Sequence, residues 1–597
     1  MPTIRYRRHV SWSNYHLTLG TVPPGGSDPS MIIDTVATVD AGDLTQPSGL
    51  ARFAASGAAL FEHLEAIEQM PSASRAAGTV GTTGKAWSFS GLIGASDRQL
   101  DLTGLVGITE MGADELASDA VVGADRIALV GGGTLLADIA SWAEARDRTL
   151  CTSGTHLKPT IAGGFATASH GSRLGYGGLQ DMVLGMHLIT GSREHVWIER
   201  KTGPVLSVAG LTKLTIDGVP VRVVREDERF EDALVHLGAM GIVNGVAVEL
   251  ADNQRFALMQ RLLTITPDLL DEIGGGHFDR VARRLGCATA PAFYELTINP
   301  HAPFSDPAGH IFYFPTHKVP LFPAGNAGIE RPADVIARIG ELMLAFASQP
   351  LAAPPTSAVA ASAIPPWVLP ALLKGADSVF AFYLDLKNFE AADSLFDPDA
   401  PERPAYLWSE LHGGEITGGE PGALYNASFA IPLDRVGKAL PAICAAVAQL
   451  AGSFVFTLRF VAKPAGTLAF TRFDQNAVIE IDGLSPLICR KAAQGVDPDL
   501  PQAGELLLAL QELAGTLPAG AAATRAALNR AGIPYSMHWG KLGDLDRAKV
   551  YADFGHPLDT DSLIRQWRGT RDHLLTPFAK SVFWNPALID YGLLDPA

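Results

Sequence analysis

The chain has 597 residues, of which 47% are hydrophobic and 18% charged, and its formal net charge is −17. This apolar content excludes a disordered chain and predicts a large packed core. The acidic balance, without any basic patch, argues against a nucleic-acid partner.

The cysteines and the apolar runs indicate the compartment. None of the four cysteines, Cys151, Cys287, Cys444 and Cys489, has zinc-site spacing, so we expect neither a disulfide framework nor a metal site. The basic N-terminal stretch lacks the apolar segment of a signal peptide, and no run of about 18 apolar residues occurs. We therefore expect a cytoplasmic protein with no membrane span.

The first part of the chain predicts strands and helices in alternation. An apolar run before three glycines indicates a strand and a turn, and apolar residues at helical spacing follow it. The elements expected up to residue 252 are a strand at 126–130, a helix at 135–142, a strand near 182–189 in a hairpin with 195–198, a helix at 230–238 and a strand from 242 to 250.

The pattern changes after residue 252, where we place a domain boundary. The elements expected beyond it are helical segments at 255–274 and 331–347 and strands at 291–298 and 310–315. An Ala/Pro/Ser-rich stretch at 349–370 predicts a long surface loop or lid, because prolines exclude a regular helix interior.

The first segment whose residues suggest a functional role is GTTGKAWSFS, residues 81–90. The Walker A pattern fails, because Thr79 stands where glycine is needed and Ala86 follows the lysine. What remains is a Gly/Thr loop whose backbone N–H groups suit a phosphate. An ordinary Gly/Ser loop is the alternative interpretation.

The second segment is longer and begins at Ser153, with SGTHLKPTIAGGFATASHGS. Small residues such as Ala162, Gly163 and Gly164 let the backbone approach a large flat ligand closely. A buried Gly/Ala-rich turn without a ligand is the alternative, and the length and order of the segment argue against it.

These segments resemble the vanillyl-alcohol-oxidase superfamily of flavoproteins, whose FAD domain is of the PCMH type. Within it the chain is most similar to the sugar-lactone oxidases (gulonolactone and arabinonolactone) and the alditol oxidases, with flavin-containing cholesterol oxidase as a larger relative. The resemblance is carried by Gly154, by 160–163 and 170–172, by the first loop, by HLGAMGIV at 236–243 and by MHWGKL at 537–542.

The resemblance implies an α+β fold of two lobes. Residues 1–252 would form the FAD-binding domain, and residues 253–525 a substrate-binding cap with an antiparallel sheet flanked by helices. Residues 526–597 would complete the active site and pack back on the FAD domain. The substrate would then lie between the two lobes.

The resemblance also implies the cofactor and the residues that bind it. The cofactor is FAD, and its expected contacts are Gly81, Thr82, Thr83, Gly84, Lys85, Ala86, Trp87, Ser88, Ser153, Gly154, Thr160, Ala162, Gly163, Gly164, Ser169, His170, Gly171, Ser172, Gly241, Ile242 and Val243.

Two positions depart from the family pattern. Many relatives bind FAD covalently through a histidine at the position of Trp87, and indole cannot form that bond. We therefore expect FAD without a covalent link at this position, while attachment elsewhere stays open.

The lactone and alditol oxidases also carry Glu-x-Arg on a cap strand, which here reads Thr457 and Arg459. Glu295 on a neighbouring strand is a candidate for the missing carboxylate.

Four side chains are candidates for the reaction itself. The resemblance implies that His538 lies on the substrate side of the flavin. We expect it to take the hydroxyl proton, since imidazole has a pKa of about 6.5, near working pH. Lys541 and Arg459 would place positive charge near the flavin or a substrate oxygen, and Glu295 would be the carboxylate partner. Ser169 and His170 flank the turn that faces the flavin ring in relatives.

The sequence thus favours an FAD-dependent oxidoreductase that oxidises a CH–OH group by hydride transfer and forms hydrogen peroxide with O2. The substrate would be a small-molecule alcohol: a polyol, a sugar lactone or a bulky apolar alcohol. Alternatives are a dehydrogenase with another electron acceptor and a flavin-fold protein with altered catalysis. A hydrolase is disfavoured, because neither GxSxG nor HExxH occurs.

Overall fold

The fold was analysed in a computed structural model. It describes residues 2–22, 28–40, 49–71, 79–94, 97–318, 389–391, 394–412, 421–450, 454–496, 498 and 503–595. Helices and strands make up 33% and 29% of the structure, which confirms the predicted mixture of helix and sheet.

A four-stranded sheet has the order β1-β2-β4-β3. Its strands are β1 (Thr3–Trp12), β2 (Met31–Asp40), β3 (Val80–Thr83) and β4 (Arg98–Asp101). β1 is antiparallel to β2, whereas β4 is parallel to both β2 and β3. Because β3 ends at Thr83, the chain passes from this sheet directly into the first glycine loop.

A seven-stranded sheet has the order β10-β9-β8-β11-β6-β5, with β7 paired to β11. Its strands are β5 (Ile108–Glu110), β6 (Ile127–Gly131), β7 (Arg148–Leu150), β8 (Val183–Gly191), β9 (Glu194–Glu199), β10 (Arg222–Arg225) and β11 (Ile242–Asp252). β8 and β9 form an antiparallel hairpin. The predicted strand at 126–130 and the predicted hairpin are therefore confirmed.

An eight-stranded sheet has the order β15-β12-β14-β13-β17-β18-β16-β19. Its strands are β12 (Arg255–Thr264), β13 (Phe293–Ile298), β14 (Pro307–Thr316), β15 (Glu390–Ala391), β16 (Leu424–Pro432), β17 (Phe454–Ala462), β18 (Gln475–Leu484) and β19 (Ser536–Met537). Successive side chains of its strands point to opposite faces. On the central strands, Leu296, Leu458 and Ile479 lie in an apolar core, and the opposite face carries buried polar residues, Glu295, Arg459 and Glu480, together with apolar ones.

Helices cover and connect these sheets. They are α1 (Leu50–Glu68), α2 (Leu136–Glu144), α3 (Ile161–Ala166), α4 (Val208–Lys213), α5 (Asp227–Leu234), α6 (Pro267–Gly274), α7 (Phe278–Arg284), α8 (Trp408–His412), α9 (Val436–Val447), α10 (Pro486–Gly495), α11 (Ala503–Arg530), α12 (Arg547–Phe554), α13 (Leu563–Leu574), α14 (Pro577–Val582) and α15 (Pro586–Asp590).

Two large apolar cores hold the chain together. One joins Phe165 and Val246 to Tyr313 and to Trp539, so the first 252 residues, the eight-stranded sheet and the C-terminal region share a continuous core. The other lies between the eight-stranded sheet and its helices, with Leu440 of α9 and Leu517 of α11. Burial of such side chains stabilises by roughly 1.5–3 kcal/mol each.

The helix predicted at 255–274 is wrong over its first half. Residues 255–264 form strand β12, which pairs with β14 along its whole length, and only 267–274 are helical. Pairing with a partner about 50 residues later outweighed the local apolar spacing, which is the usual way that tertiary contacts override propensity.

The helix predicted at 230–238 ends earlier than expected. Helix α5 stops at Leu234, and Leu237 and Gly238 have left-handed backbone, with φ of 53° and 78°. An α-helix does not tolerate such residues, so this segment turns towards the centre of the molecule instead.

The domain limits at 252 and 525 stay predictions. β11 ends at Asp252 in one sheet and β12 begins at Arg255 in another, while α11 continues through residue 525. The helix expected at 331–347 and the loop expected at 349–370 lie outside the described residues. Within the described residues, no helix has both the length and the apolar character to cross a membrane.

Candidate functional site

A central cleft lies between two walls of different construction. It encloses about 1340 Å³ of space free of atoms, part of it open to solvent. The loop wall consists of cleft-lining residues from 82–88, 154–170, 236–238 and Val243. The sheet wall consists of Arg459, Glu480, His538 and Lys541, from the polar face of the eight-stranded sheet and the turn after β19.

Most of the predicted site residues line this cleft. They are Thr82, Thr83, Gly84, Lys85, Ala86, Trp87, Ser88, Gly154, Thr160, Ala162, Gly163, Gly164, Ser169, His170, Val243, Arg459, His538 and Lys541. Segments separated by several hundred residues thus meet in one place.

Seven predicted residues do not line the cleft: Gly81, Ser153, Gly171, Ser172, Gly241, Ile242 and Glu295. Several of them hold the walls together instead. The Ser172 hydroxyl donates to the carbonyl of Tyr294 and accepts the N–H of Phe460. A Cβ on Gly171 would stand 2.1 Å from the carbonyl oxygen of Ser153. These positions support the cleft from behind.

Several residues that line the cleft were not predicted from the sequence. The most important are His156, the 236–238 turn and Glu480. Glu480 had a signal, because it and Asp482 are the only acidic residues in the otherwise apolar pattern NAVIEID of one strand. Acidic residues two apart on a buried strand share a face, and this face is the sheet wall.

Contact between the first loop and helix α3 explains why residue 84 is a glycine. A Cβ on Gly84 would lie 2.2 Å from Oγ1 of Thr160. That hydroxyl accepts the N–H of Gly163 at 3.3 Å and caps the start of α3. The two glycine-rich segments found in the sequence therefore touch directly, and glycine at position 84 allows this contact.

The turn at 236–238 presents a hydrogen-bond donor to the cleft. The backbone N–H of Gly238 donates to Nδ1 of His236 at 3.0 Å, so the proton of the neutral ring is on Nε2. Nε2 has no hydrogen-bond partner among the described residues. Burial lowers the pKa of His236 to about 4, which keeps the ring neutral.

Trp87 lies within an aromatic group in the loop wall. Its ring centroid is 4.0 Å from that of Tyr15 and 4.5 Å from that of His156. Burial and the nearby cations Lys541, Lys158 and Arg459 lower the pKa of His156 to about 3. The position that carries the attachment histidine in the resembled family is thus filled by a packed indole.

In the sheet wall, Arg459 lies between two carboxylates. Its Nε is 3.1 Å from Oε2 of Glu295, on the adjacent strand β13, and its Nη2 is 3.3 Å from Oε2 of Glu480, on β18. Glu295 is fully buried behind Arg459, whereas Glu480 faces the cleft. The carboxylate absent from position 457 is therefore present on both neighbouring strands.

Glu480 and Asp482 differ in their electrostatic environment. Burial raises the pKa of Glu480, but the charges of Arg459 and Lys541 outweigh it and the net shift is downward. Burial and the charge of Glu480 raise the pKa of Asp482 to about 6. Asp482 accepts hydrogen bonds from Nδ2 of Asn426 (2.5 Å) and from the Thr457 hydroxyl (3.2 Å).

The hydrogen bonding of His538 determines which ring nitrogen carries the proton. The backbone N–H of Gly540 donates to Nδ1 of His538 at 2.9 Å. Nδ1 is thus an acceptor, and in the neutral ring the proton is on Nε2. Burial lowers the pKa of His538, with His170 and Lys541 adding to the effect. A neutral ring with Nε2–H donates a hydrogen bond at that atom and does not take a proton there.

Three cationic side chains line the cleft although the chain is acidic, and one of them, Arg459, is paired with the carboxylates of Glu295 and Glu480. Among its described lining residues, Lys85, Arg459 and Lys541 are cations and Glu480 is the one carboxylate. Burial lowers the pKa of Lys541, and Glu480 and Asp482 partly counter this effect. This charge suits an anionic ligand such as a pyrophosphate. The described part of the chain contains no group of three or more His, Cys, Asp or Glu side chains placed to hold a metal ion.

The chain shares its overall fold with solved structures of cholesterol oxidases. The crystal structure of cholesterol oxidase from B. sterolicum matches with a TM-score of 0.56 and 13% identity, over 98% of this chain and 97% of that chain. A histidine-to-alanine variant of cholesterol oxidase from Brevibacterium sterolicum matches with a TM-score of 0.53 and 14% identity, over 98% and 97%. A solvent-stable cholesterol oxidase gives 0.55 and 12%, over 99% and 98%.

These matches confirm the predicted PCMH-type α+β fold. No protein-family model matches the chain. At 12–14% identity the likeness concerns the fold alone, so the closer similarity to lactone and alditol oxidases stays a prediction.

Proposed function

We propose that the chain is an FAD-dependent oxidoreductase that oxidises a CH–OH group of a small-molecule alcohol. The observation that carries this proposal is the glycine-lined central cleft, into whose lining a chain of net charge −17 brings the cations Lys85, Arg459 and Lys541. The fold shared with cholesterol oxidases supports it. We further propose O2 as the electron acceptor and the division into FAD domain, cap and C-terminal segment that the resemblance implies.

The described residues fit FAD. Gly84 packs against Thr160 at the start of α3, and the neighbouring Gly163 is exposed in the lining of the cleft. Leu237 and Gly238 have left-handed backbone in the turn that also lines it. Nε2–H of His236 is a buried donor without a partner among the residues that the structure describes. Successive N–H groups in such turns favour phosphates, so we propose that the loop wall holds the pyrophosphate and the flavin.

FAD, when bound, supplies the acceptor for the hydride and its electron pair. The chain's own contribution lies in the sheet wall. Lys541 and Arg459 hold positive charge there in fixed positions, and such cations stabilise negative charge that develops during a reaction. Nε2–H of His538 is a donor for a substrate oxygen. The alcohol would therefore bind against the sheet wall, between the two lobes.

We propose that FAD is bound without a covalent link at position 87. Trp87 occupies the attachment position of the resembled family, and its ring packs closely between Tyr15 and His156. An indole carbon or nitrogen in this packing is not the nucleophile that an imidazole is. The affinity for FAD then depends on the non-covalent contacts of the loop wall.

Anaerobic bleaching tests this function. The purified protein is loaded with FAD and mixed without O2 with xylitol, L-gulono-1,4-lactone or cholesterol, which represent a polyol, a sugar lactone and a bulky apolar alcohol. We expect at least one to bleach the flavin band, and admission of O2 to restore the band with formation of peroxide. Restoration only by an added quinone would indicate a dehydrogenase. FAD that binds but is bleached by none of the three would contradict the proposed activity for these alcohol classes.

A further inference from the structure

Two histidine side chains lie close together at the junction of the two walls. The ring centroids of His170, from the loop wall, and His538, from the sheet wall, are 5.9 Å apart. Phe470 packs against both rings, at 5.3 and 4.6 Å. Both histidines are at most 6% exposed and both line the cleft. An oxygen atom between them would be within reach of two imidazoles.

The backbone gives the two imidazoles opposite tautomers. Nδ1 of His170 is 3.1 Å from the carbonyl oxygen of Gly171, and a carbonyl only accepts, so Nδ1 carries the proton and Nε2 has a free lone pair. In His538 the N–H of Gly540 occupies Nδ1, so Nε2 carries the proton. Nε2 therefore accepts in His170 and donates in His538.

A carboxylate lies next to the accepting nitrogen. Oε1 of Glu480 is 3.8 Å from Nε2 of His170. Burial lowers the pKa of His170 to about 4, and the charge of Glu480 acts in the opposite direction. The other charged groups that act on this ring are Arg459 and Lys541. The ring is thus neutral at neutral pH, and Glu480 stabilises it once it has gained a proton.

We propose that His170 is the catalytic residue that takes the substrate's hydroxyl proton, that Nε2–H of His538 donates to the same oxygen, and that Glu480 is a positioning residue for the His170 imidazolium. This inference rests on the proposed function. The O–H bond breaks and its proton goes to Nε2 of His170. The adjacent C–H bond breaks, its hydrogen and electron pair go to FAD, and a C=O bond forms. The alcohol is oxidised and FAD is reduced.

A weak base suffices for this step. As the hydride leaves, the substrate becomes a protonated carbonyl, which is a much stronger acid than an alcohol. A neutral imidazole aligned with the hydroxyl then accelerates the reaction by about 10²–10⁴-fold. His538, with its proton on Nε2, orients the oxygen and has no lone pair to offer at that atom.

The tautomers can be measured without flavin. Long-range ¹H–¹⁵N correlation spectra of protein labelled at histidine distinguish a proton on Nδ1 from one on Nε2, and His170→Asn and His538→Asn assign the two rings. At pH 7 we expect His170 to carry its proton on Nδ1 and His538 on Nε2. A proton on Nε2 of His170 would overturn the inference, whatever the protein's activity.

Variants in the FAD-loaded enzyme then test the roles, with the alcohol among xylitol, L-gulono-1,4-lactone and cholesterol that bleaches the flavin fastest. His170→Asn should slow bleaching about 100-fold or more, with partial rescue by added imidazole. His538→Gln keeps an N–H donor and should cost about tenfold or less, the effect of one hydrogen bond. His310→Asn removes a histidine that is buried outside the cleft, and is the matched control with an unchanged rate.

Glu480→Gln tests the positioning role of Glu480 through the pH dependence of the bleaching rate, which the loss of a purely structural residue would not shift. Because Glu480 raises the pKa of His170, its neutralisation should move the acid limb of the bleaching rate to lower pH. An unmoved acid limb, or a His170→Asn variant no slower than His538→Gln, would overturn the assignment. Failure of FAD to bind is seen beforehand in the absorption spectrum and would overturn the proposed function instead.

Discussion

The two walls of the central cleft differ in how the chain builds them. The loop wall comes from short glycine-rich segments, in which neighbouring residues along the chain are neighbours in space. The sheet wall comes from side chains on separate strands. Arg459 and Glu480, with Glu295 buried behind Arg459, meet only after β13, β17 and β18 have paired. Backbone shape therefore dominates one wall and buried charge the other, and substitutions should affect the two walls differently.

Removing the central charge of the sheet wall should produce the largest effect. Arg459→Met leaves Glu295 and Glu480 buried without their shared cation, and breaking a buried ion pair costs about 3–5 kcal/mol of unfolding free energy. Urea unfolding of the flavin-free protein measures this loss. Adding Glu295→Gln and Glu480→Gln to Arg459→Met should recover most of it. A loss below about 1 kcal/mol, the value for a surface pair, would show that the charges are not buried together.

A change of backbone shape in the loop wall should affect FAD binding more than stability. Gly84→Ala brings a Cβ against Oγ1 of Thr160 and displaces the loop from the start of α3. We expect the Kd for FAD, measured by flavin fluorescence, to rise about tenfold, which corresponds to about 1.4 kcal/mol.

Gly569→Ala is the matched control for this change. It lies in α13, and a Cβ there would meet nothing within 4 Å. Its Kd for FAD should equal that of the unchanged protein. If Gly84→Ala also left the Kd unchanged, the loop wall would not hold the cofactor.

The loop wall was easier to predict from the sequence than the sheet wall, because the two walls are built differently. The loop wall was found from order and spacing, because Gly84, Gly163 and His170 lie in contiguous motifs. The Glu-x-Arg pattern located Arg459, but its partner Glu480 is 21 residues further along the chain and reaches it only through cross-strand register. Strand β12 was mistaken for a helix for the same reason, since its partner β14 lies far along the chain.

The positions of the seven predicted residues that do not line the cleft have a physical explanation as well. Motif residues such as Gly171 and Ser172 were predicted to contact a ligand, but they allow or make contacts between protein segments. A sequence motif indicates that a small or hydroxyl-bearing residue is required at a position. It does not indicate whether that residue contacts a ligand or another segment of the protein. The tautomer of His538 also depends on the Gly540 N–H, which only a folded turn places.

The two walls should respond to acid in opposite directions. In the loop wall, the pKa values of His156, His170 and His236 are lowered to about 3–4. A lowered pKa gives stability that is present above about pH 6.5 and lost as the pH falls towards 4. In the sheet wall, the pKa of Asp482 is raised to about 6, so its contribution is complete below about pH 4 and lost as the pH rises through 6.

Unfolding of the flavin-free protein between pH 7 and pH 4.5 tests this contrast. Because the histidines outnumber Asp482, we expect net loss of stability on acidification. Asp482→Asn should make the loss steeper by about 1 kcal/mol, since the opposing contribution disappears. An equal slope in both proteins would show that Asp482 does not titrate in this range.

The smallest effect is expected at position 87. Trp87→Phe keeps an aromatic ring against Tyr15 and His156, so the Kd for FAD should change by less than about threefold, or 0.6 kcal/mol. Acid precipitation of the FAD-loaded protein should leave a colourless pellet and release all the flavin. A yellow pellet would show a covalent link, and its persistence in Trp87→Phe would locate that link at another residue.

The most direct test of the account is an absorption titration of the purified, flavin-free protein with FAD. Binding of one equivalent, with the two flavin bands perturbed on binding and with weaker binding by Gly84→Ala than by Gly569→Ala, is the result predicted for a cofactor held by the loop wall. A protein that stays colourless after incubation with excess FAD and gel filtration would contradict it, and with it the oxidation chemistry assigned to the cleft.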